Sequence, residues 1–543
     1  MTSPAARPAS RTLGGLLAEL VAARPDAEVV VFRDQRLTRA ALAARVDAFG
    51  RALLAAGVRR GDRVAVLVPN RPEWIVAALG AARIGAIATA ISTFSTPREL
   101  LWTLGHSGAS VLVTVEAFRG RRFLGPLHDA CPELARSAPG ELRTARLPRL
   151  RAVVCLDRPA GDGVFDLDGF VASGAGIGDA TLEAAARAVD PRDVCYVLYT
   201  SGSTADPKGV TLAHGGVLAN GFDIGERQHL TAADRLWLSV PLFWSFGSAN
   251  ALPAILTHGG GVVLQEAFEP GEALELLERE RCSVYYGMAN MARAMAEHPD
   301  RPRRPLAAMR TGLTIGLPED VAMTIEAVGA RELCNVYGST ETYGNCAVTD
   351  AHDPLDVRLH TQGRPLPGME IRAVHPESRA LMPPGEAGEL CVRGHVTPGY
   401  YGAPELDAAA FDASGAFLTG DLGLIDGDGR VRFRGRLKEI IKTGGVNVAP
   451  LEVEQVLLQH PDVKQAHVVG VPDRDRDEIV AAAVELRPGA TADAAALVAF
   501  CRERLASYKV PVRLAFRAAD ALPRTPTGKI HKPGLRADLS REE

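Results

Sequence analysis

The sequence predicts an α/β protein: a large N-terminal region built of α/β subdomains with a small β-barrel-like part, followed by a small α/β C-terminal domain. Three observations carry this. The chain has 543 residues, 47% of them hydrophobic and 23% charged, which is enough apolar chain for several folding units. Short apolar strands alternate with amphipathic helices up to about residue 335, as parallel pairing requires. After residue 362 short β segments divided by Gly and Pro take over, and from about residue 437 helices and strands return in a compact tail.

From residue 13 to 60 the apolar spacing is helical, in LGGLLAELVAA and ALAARVDAFGRALLAAG. VAVLVPN (64–70) reads as a buried strand ended by a turn, and PEWIVAALGAARIG as a helix opened by Pro72. AIATAIS and ASVLVTV (109–115) are strands, 116–150 a surface excursion rich in Arg, Pro and Gly, AVVCL (152–156) a strand, and 157–188 a variable loop with a weak helix. VCYVLYT (194–200) is a strand that runs into a Ser/Gly/Thr loop. From 215 to 335 the alternation resumes through RLWLSV, ALPAILTHG, GVVLQ, PGEALELLERE and CSVYYGM. EIRAV, GELCVRG and GRVRFRG suggest an antiparallel sheet or small barrel. The tail is read as helix 450–460, strands 465–470 and 479–485, helix 492–506 and a final loop 521–534.

Composition excludes several functions. A net charge of -4 gives no basic field for nucleic acid, so only local anion sites remain. The eight cysteines form no C-x-x-C pair and no zinc spacing, which points to reduced, buried thiols. The apolar stretch 75–91 is interrupted by Gly80, Arg83 and Gly85 and is too short to span a bilayer. MTSPAARPASR lacks an apolar core; its Arg- and Ser-containing, acid-free composition resembles a transit peptide, and a frayed terminus is the preferred reading. The expectation is a cytoplasmic enzyme without membrane integration, monomeric or homodimeric.

Four motifs carry chemistry. In Thr200-Ser201-Gly202-Ser203-Thr204-Ala205-Asp206-Pro207-Lys208-Gly209, small residues leave backbone N–H groups uncovered and a lysine adds charge, so the loop can wrap a polyphosphate; read alone it is equally a plain turn. It is not a Walker loop, because Gly209 and Val210 follow Lys208 where Ser or Thr is required. In Tyr337-Gly338-Ser339-Thr340-Glu341-Thr342 a glutamate beside hydroxyls can hold Mg2+, or simply cap a helix. Asp421, in Thr419-Gly420-Asp421, can accept two ribose hydroxyls, with Arg436 as a bridge to phosphate; the alternative is a turn aspartate beside a basic strand edge. Lys529, in Pro526-Thr527-Gly528-Lys529-Ile530, is a lysine on a loop that can reach a site or merely solvent.

In this order and at these separations, YTSGSTADPKG, YGSTE, TGD, GRLKEIIKTGGVNVAPLEVE and PRTPTGKI resemble the adenylate-forming (AMP-binding) superfamily, and most closely its AMP-forming acyl-CoA synthetases. The resemblance covers about residues 13–534. It implies ATP, Mg2+ and coenzyme A as cofactor, metal and co-substrate. A carboxylic acid would be activated as acyl-AMP and passed to the CoA thiol, releasing pyrophosphate and AMP. It further implies that Thr200, Ser201, Gly202, Ser203, Thr204 and Lys208 grip the β- and γ-phosphates, and that Thr340 and Glu341 address the α-phosphate and metal. The segment 312–318 with Gly316, followed by Asn335 to Tyr337, would form the adenine pocket with Tyr337 stacked on the base, Gly338 and Ser339 would also bind the nucleotide, Asp421 and Arg436 hold the ribose, and Lys529 bridge the carboxylate and α-phosphate. Lys442, Gly444 and Gly445 would line the thiol path. Domains of 1–435 and 436–543 are implied, the second mobile about a hinge near Lys438.

The chain departs from that pattern in two places. Trp244 stands in Pro241-Leu242-Phe243-Trp244-Ser245-Phe246-Gly247 where many relatives carry histidine, and it either gates the acid site or packs a core. Of the adenine segment 312–318, only Gly316 and Pro318 match comfortably. The acid pocket would be lined by Trp244, Phe246, Tyr286, Gly287, Thr314, Gly316, Tyr343 and Asn345, an apolar and aromatic set suited to a neutral aryl or medium-length alkyl acid. Two further readings stand beside the CoA ligase. One is an adenylating enzyme that passes its acid to a carrier protein or amine, or activates another oxyacid such as nitrite for diazotisation of aryl amines. The other is a non-catalytic AMP-binding homologue, against which intact Lys208, Glu341, Asp421 and Lys529 speak.

Overall fold

The structure is a computed structural model that describes residues 7–200, 206–444, 446–474, 476–525 and 529–541. The chain forms two compact units: Met1–Glu370 with Arg393–Phe417, and Ile371–Val392 with Leu418–Glu543.

The first unit holds two largely parallel sheets. One has seven strands in the order Lys208–Ala213, Val194–Thr200, Ile87–Ala90, Arg63–Leu67, Val111–Thr114, Ala152–Cys155 and Val164–Phe165. All neighbours are parallel except the first pair, an antiparallel hairpin. The other has nine strands, with a parallel centre of Glu332–Tyr337, Thr311–Thr314, Val284–Tyr286, Arg235–Leu238, Gly261–Leu264 and Glu28–Phe32. The central strands read as near-continuous apolar runs because helices cover both faces. Val111–Thr114, for example, is buried at every residue.

Three readings from sequence need correction. The segment 13–60 is not helical throughout, because the strands Glu28–Phe32 and Gln35–Thr38 separate the helices Leu13–Ala23 and Arg39–Ala55. The β-branched run Val29–Val31 was hidden between two strongly helical stretches, and Thr38 ends the hairpin by capping the second helix at Ala41 N–H. The stretch 116–150 is more than a surface excursion: Leu124, Leu127, Leu134, Leu142, Leu147 and Leu150 pack on Leu112 and Val153 in one core. Its abundant Arg, Pro and Gly masked irregularly spaced leucines. In 157–188 two helices form, Leu167–Ser173 and Asp179–Arg187, the first seating Phe170 on Phe49 at 5.3 Å.

In the second unit, strands Glu370–Val374, Gly388–Arg393, Phe417–Ile425 and Val431–Arg436 make a four-stranded sheet. A five-stranded sheet follows, centred on Val463–Asp473 and Asp477–Leu486. Its apolar face packs Val468 and Val484 on Val453 and Leu457 of helix Pro450–Leu458 and Leu497 of helix Ala494–Arg502. Strand Arg513–Phe516 joins this sheet in parallel, and helix Lys532–Ser540 begins inside the expected final loop, with Pro533 in its first turn.

Candidate active site

In the nine-stranded sheet, neighbouring parallel strands end side by side. Leu238 pairs with Tyr286, Tyr286 with Leu313, and Thr314 with Asn335. The chain leaves these strand ends through Pro241–Gly247, Gly287, Ile315–Leu317 and Gly338–Thr342, so most of the sequence-selected acid and adenine residues meet at one carboxyl edge. Ligands of open α/β sheets bind at that edge. At the opposite edge lies an open cleft of about 860 Å³. Its charges satisfy one another, Arg36 with Glu280 at 2.9 Å, Arg235 with Glu280 at 2.8 Å and Arg310 with Asp234 at 3.0 Å, which marks it as structural.

Tyr286 is fully buried, with its hydroxyl accepting from Gln228 Nε2 at 2.9 Å and its ring 5.2 Å from Phe246. Burial raises its phenol above the usual tyrosine value. Thr314 Oγ1 donates to the Gly287 carbonyl at 3.0 Å and so ties two strand ends together. Phe246 opens a π-helical segment, Phe246–Ala251, a rare form that recurs at functional sites. Trp244 is half-buried, 5.9 Å from Phe243 and 6.5 Å from Phe94, so its ring joins an aromatic cluster. Tyr343 is differently placed. Its φ of 59° turns the ring toward Gly216, and its hydroxyl accepts from Ala213 N–H at 3.2 Å. Burial pushes that phenol up to about 12. Asn345 is buried with its carbonyl held by Asn220 Nδ2 at 2.6 Å, while its own amide nitrogen has no partner.

Asn335 Nδ2 is likewise buried without a partner. Buried polar atoms are ordinarily satisfied, so this atom and the Asn345 amide are ones that a bound molecule or water could complete. Tyr337 ends its strand 6% exposed, and Gly338 follows where a Cβ would lie 2.5 Å from the Gly344 carbonyl. Gly316, between strand Thr311–Thr314 and helix Pro318–Val328, would place a Cβ 2.8 Å from that of Asp320.

The hairpin of the seven-stranded sheet pairs Thr200 with Lys208 at its mouth. Ser201, Gly202, Ser203 and Thr204 lie outside the described residues. The stem is braced from behind, where Tyr199 hydroxyl meets His106 Nδ1 at 2.8 Å and Trp102 stacks on His106 at 4.5 Å. The turn bearing Glu341 comes to this hairpin through segment 397–401. Thr397 N–H donates to the Glu341 carbonyl at 2.6 Å, Tyr400 hydroxyl donates to Glu341 Oε1 at 2.8 Å, and the Tyr400 ring lies 5.9 Å from Lys208 Nζ. Desolvation and the Glu341 charge raise the Tyr400 phenol, which keeps it a donor. Thr340 hydroxyl is 3.1 Å from that of Ser245. Tyr400, Phe94 and the pair Asn220 and Asn250, in which Asn250 Nδ2 donates to Asn220 Oδ1 at 3.2 Å, were not singled out from sequence.

The second unit carries the remaining candidates. Asp421 and Arg436 are antiparallel partners joined at 3.0 Å. Lys438 is exposed in a short turn, Leu437–Glu439. Lys442 N–H donates to Glu478 Oε2 at 2.9 Å. Gly444 has a φ of 56° with open space around its Cβ position, so its conformation, not crowding, calls for glycine. Gly445 lies outside the described residues. Desolvation, and after it the Arg436 guanidinium, hold the Lys529 ammonium below the ordinary lysine value, although the residue keeps solvent exposure. All eight cysteines are buried and outside disulfides, and burial pushes the Cys155 and Cys282 thiols up to about 12, which disfavours a nucleophilic role. Among the described residues no helix is long and apolar enough to cross a membrane.

Comparison with known proteins gives a match to the AMP-binding enzyme family over residues 17–401 and to the AMP-binding enzyme C-terminal domain over residues 452–529. The 3-[(3aS,4S,7aS)-7a-methyl-1,5-dioxo-octahydro-1H-inden-4-yl]propanoyl:CoA ligase of Mycobacterium tuberculosis is 35% identical over 97% of this chain and 98% of its own. The mitochondrial medium-chain acyl-CoA ligase ACSF2 of Mus musculus is 32% identical over 97% of this chain and 87% of its own. The amide bond synthetase McbA of Marinactinospora thermotolerans, a solved structure, superposes with a TM-score of 0.81 at 29% identity, over 97% of this chain and 99% of its own.

Proposed function

The chain belongs to the AMP-binding enzyme family and is an AMP-forming ligase of the acyl-CoA synthetase type, and from that premise we propose that it activates a small, apolar carboxylic acid as acyl-AMP and transfers the acyl group to coenzyme A. The observation that supports the acid class is the aromatic lining at the strand ends: Phe246 lies 5.2 Å from Tyr286, and Trp244 is half-buried against Phe243 and Phe94. Aromatic walls favour an aryl or medium-length alkyl group.

The chemistry explains the residue types. A carboxylate cannot expel oxide, so its oxygen attacks the α-phosphorus of ATP, the bond to pyrophosphate breaks, and AMP becomes the leaving group. In this reading Thr200 and Lys208 hold the departing phosphates, Asp421 and Arg436 the ribose, and Lys529 offsets the charge of the two anions that must meet. Tyr337 and Gly316 border the adenine. The thiol then attacks the acyl carbonyl and AMP departs. Mg2+ fits the donor set, since it takes one or two carboxylates with phosphate oxygens, and Glu341 beside Thr340 is such a set; bound there, it would neutralise phosphate charge. A domain boundary at 435/436 with a hinge at the exposed Lys438 belongs to the same reading. Lys442 and Gly444 would then border the thiol path.

A second reading keeps the activation step and changes the acceptor to an amine or a carrier-protein thiol. Trp244 in place of histidine and the likeness to an amide bond synthetase favour it. AMP release measured with CoA, a holo carrier protein, an aryl amine, or nitrite plus aryl amine separates the two. Turnover stimulated by CoA above every other acceptor is expected; stimulation by amine or carrier protein alone would reverse the order of the readings.

A further inference from the structure

We propose that Tyr400 is a positioning residue that orients the Glu341 carboxylate for the Mg2+ complex of ATP. The inference rests on the assignment of Glu341 to the metal and phosphates made above.

The backbone of Tyr400 is fixed against the phosphate hairpin. Tyr400 bridges Val210, Gly399 carbonyl accepts from Thr211 N–H at 3.1 Å, and Tyr401 N–H donates to the Gly209 carbonyl at 2.7 Å. Asp407 Oδ1 accepts from Tyr400 N–H at 2.7 Å and secures the same residue from its far side. The segment is therefore tied to strand Lys208–Ala213 by an isolated antiparallel bridge. Its other end grips the Glu341 turn through Thr397 N–H.

From this anchored position a single side chain contacts Glu341 and lies near Lys208. The hydroxyl donates to Glu341 Oε1 at 2.8 Å, and the ring stands 5.9 Å from Lys208 Nζ. A glutamate on a short turn has three rotatable bonds, and an unbraced carboxylate samples many orientations. One charge-assisted hydrogen bond to Oε1 selects among them and leaves Oε2 for a cation. The ring holds the ammonium by its electron-rich face. The Glu341 carboxylate is thus oriented before ATP arrives, which lowers the entropy lost on binding.

The test uses the full-length chain with Tyr400→Phe and Glu341→Gln. ATP binding is measured by calorimetry in EDTA and across a MgCl2 series, alongside the Mg2+ dependence of pyrophosphate release. Phenylalanine keeps the ring beside Lys208 and removes only the hydroxyl. The Mg2+ concentration for half-maximal ATP binding should rise about tenfold in Tyr400→Phe, as loss of a hydrogen bond to a charged group implies. Its ATP affinity in EDTA should stay within about twofold. A shift in Glu341→Gln with none in Tyr400→Phe overturns the role of Tyr400 and leaves the Glu341 assignment standing. Equal loss of ATP binding with and without Mg2+ in Tyr400→Phe also overturns it, since the hydroxyl would then only support the fold. No shift in Glu341→Gln overturns the assignment of Glu341 and this inference with it.

Discussion

Lys529 is held at its backbone, where its carbonyl accepts from Thr525 N–H at 2.7 Å, while the residue keeps solvent exposure. A group so placed adds charge without adding packing, so its removal should be a chemical lesion. Lys529→Ala is expected to slow adenylate formation by about 100-fold or more, as loss of a preorganised donor does, and to retain thiolysis of a supplied acyl-adenylate. Rapid-quench measurement of the two half-reactions checks this, and equal loss in both would remove the assigned role. His214 makes a different kind of prediction. Its ring is fully buried, Nδ1 accepts from Leu13 N–H at 3.2 Å, Nε2 has no partner, and burial holds its pKa at about 4. The unfolded chain protonates it near pH ~6.5. The stability it contributes is therefore complete above that value and lost as pH falls toward about 4, by about 3 kcal/mol over the window. Denaturation of His214→Asn between pH 7.5 and 4.5 should show a shallower loss than the parent; equal slopes would contradict the buried neutral ring. Residues that stand in a contiguous motif, such as Lys208, Glu341 and Asp421, can be singled out from the sequence as candidates. Tyr400 cannot, because its meaning comes from a contact with a residue 59 positions away.

At the scale of elements, the turn after strand Glu332–Tyr337 depends on close approach of backbone. A Cβ at Gly338 would meet the Gly344 carbonyl and Asn345 Cα at 2.5 Å, and neither can rotate away. Gly338→Ala should displace the turn that carries Thr340 and Glu341. An expense of at least ~1.4 kcal/mol corresponds to about a tenfold fall in ATP affinity, measurable by calorimetry. Unchanged affinity would show that the turn is not part of the nucleotide site. The strands of the parallel sheets were readable because burial on both faces leaves an uninterrupted apolar run, as in Val111–Thr114 and Ala152–Cys155. Strand Glu28–Phe32 was not, since its neighbours on both sides carry helical spacing and only its parallel pairing with Val262–Leu264 reveals it. The buried leucines of 124–150 escaped for a related reason: tertiary contact, rather than local periodicity, decides their burial.

At the scale of the molecule, the order of strands in the nine-stranded sheet explains how residues from 241 to 345 come to one edge. Four adjacent parallel strands, none consecutive in sequence without a helix between, deliver their carboxyl ends together. The local charge of a few donors, and not the net charge of -4, is what an ATP site needs from this scaffold. That account requires the carboxylate of the acid itself to become bonded to phosphorus. The most direct test supplies an accepted acid labelled with oxygen-18 in its carboxylate, together with ATP and CoA, and analyses the products by mass spectrometry. The account predicts that AMP gains one labelled oxygen for each thioester formed. AMP without label, or label recovered in inorganic phosphate beside ADP, would contradict it.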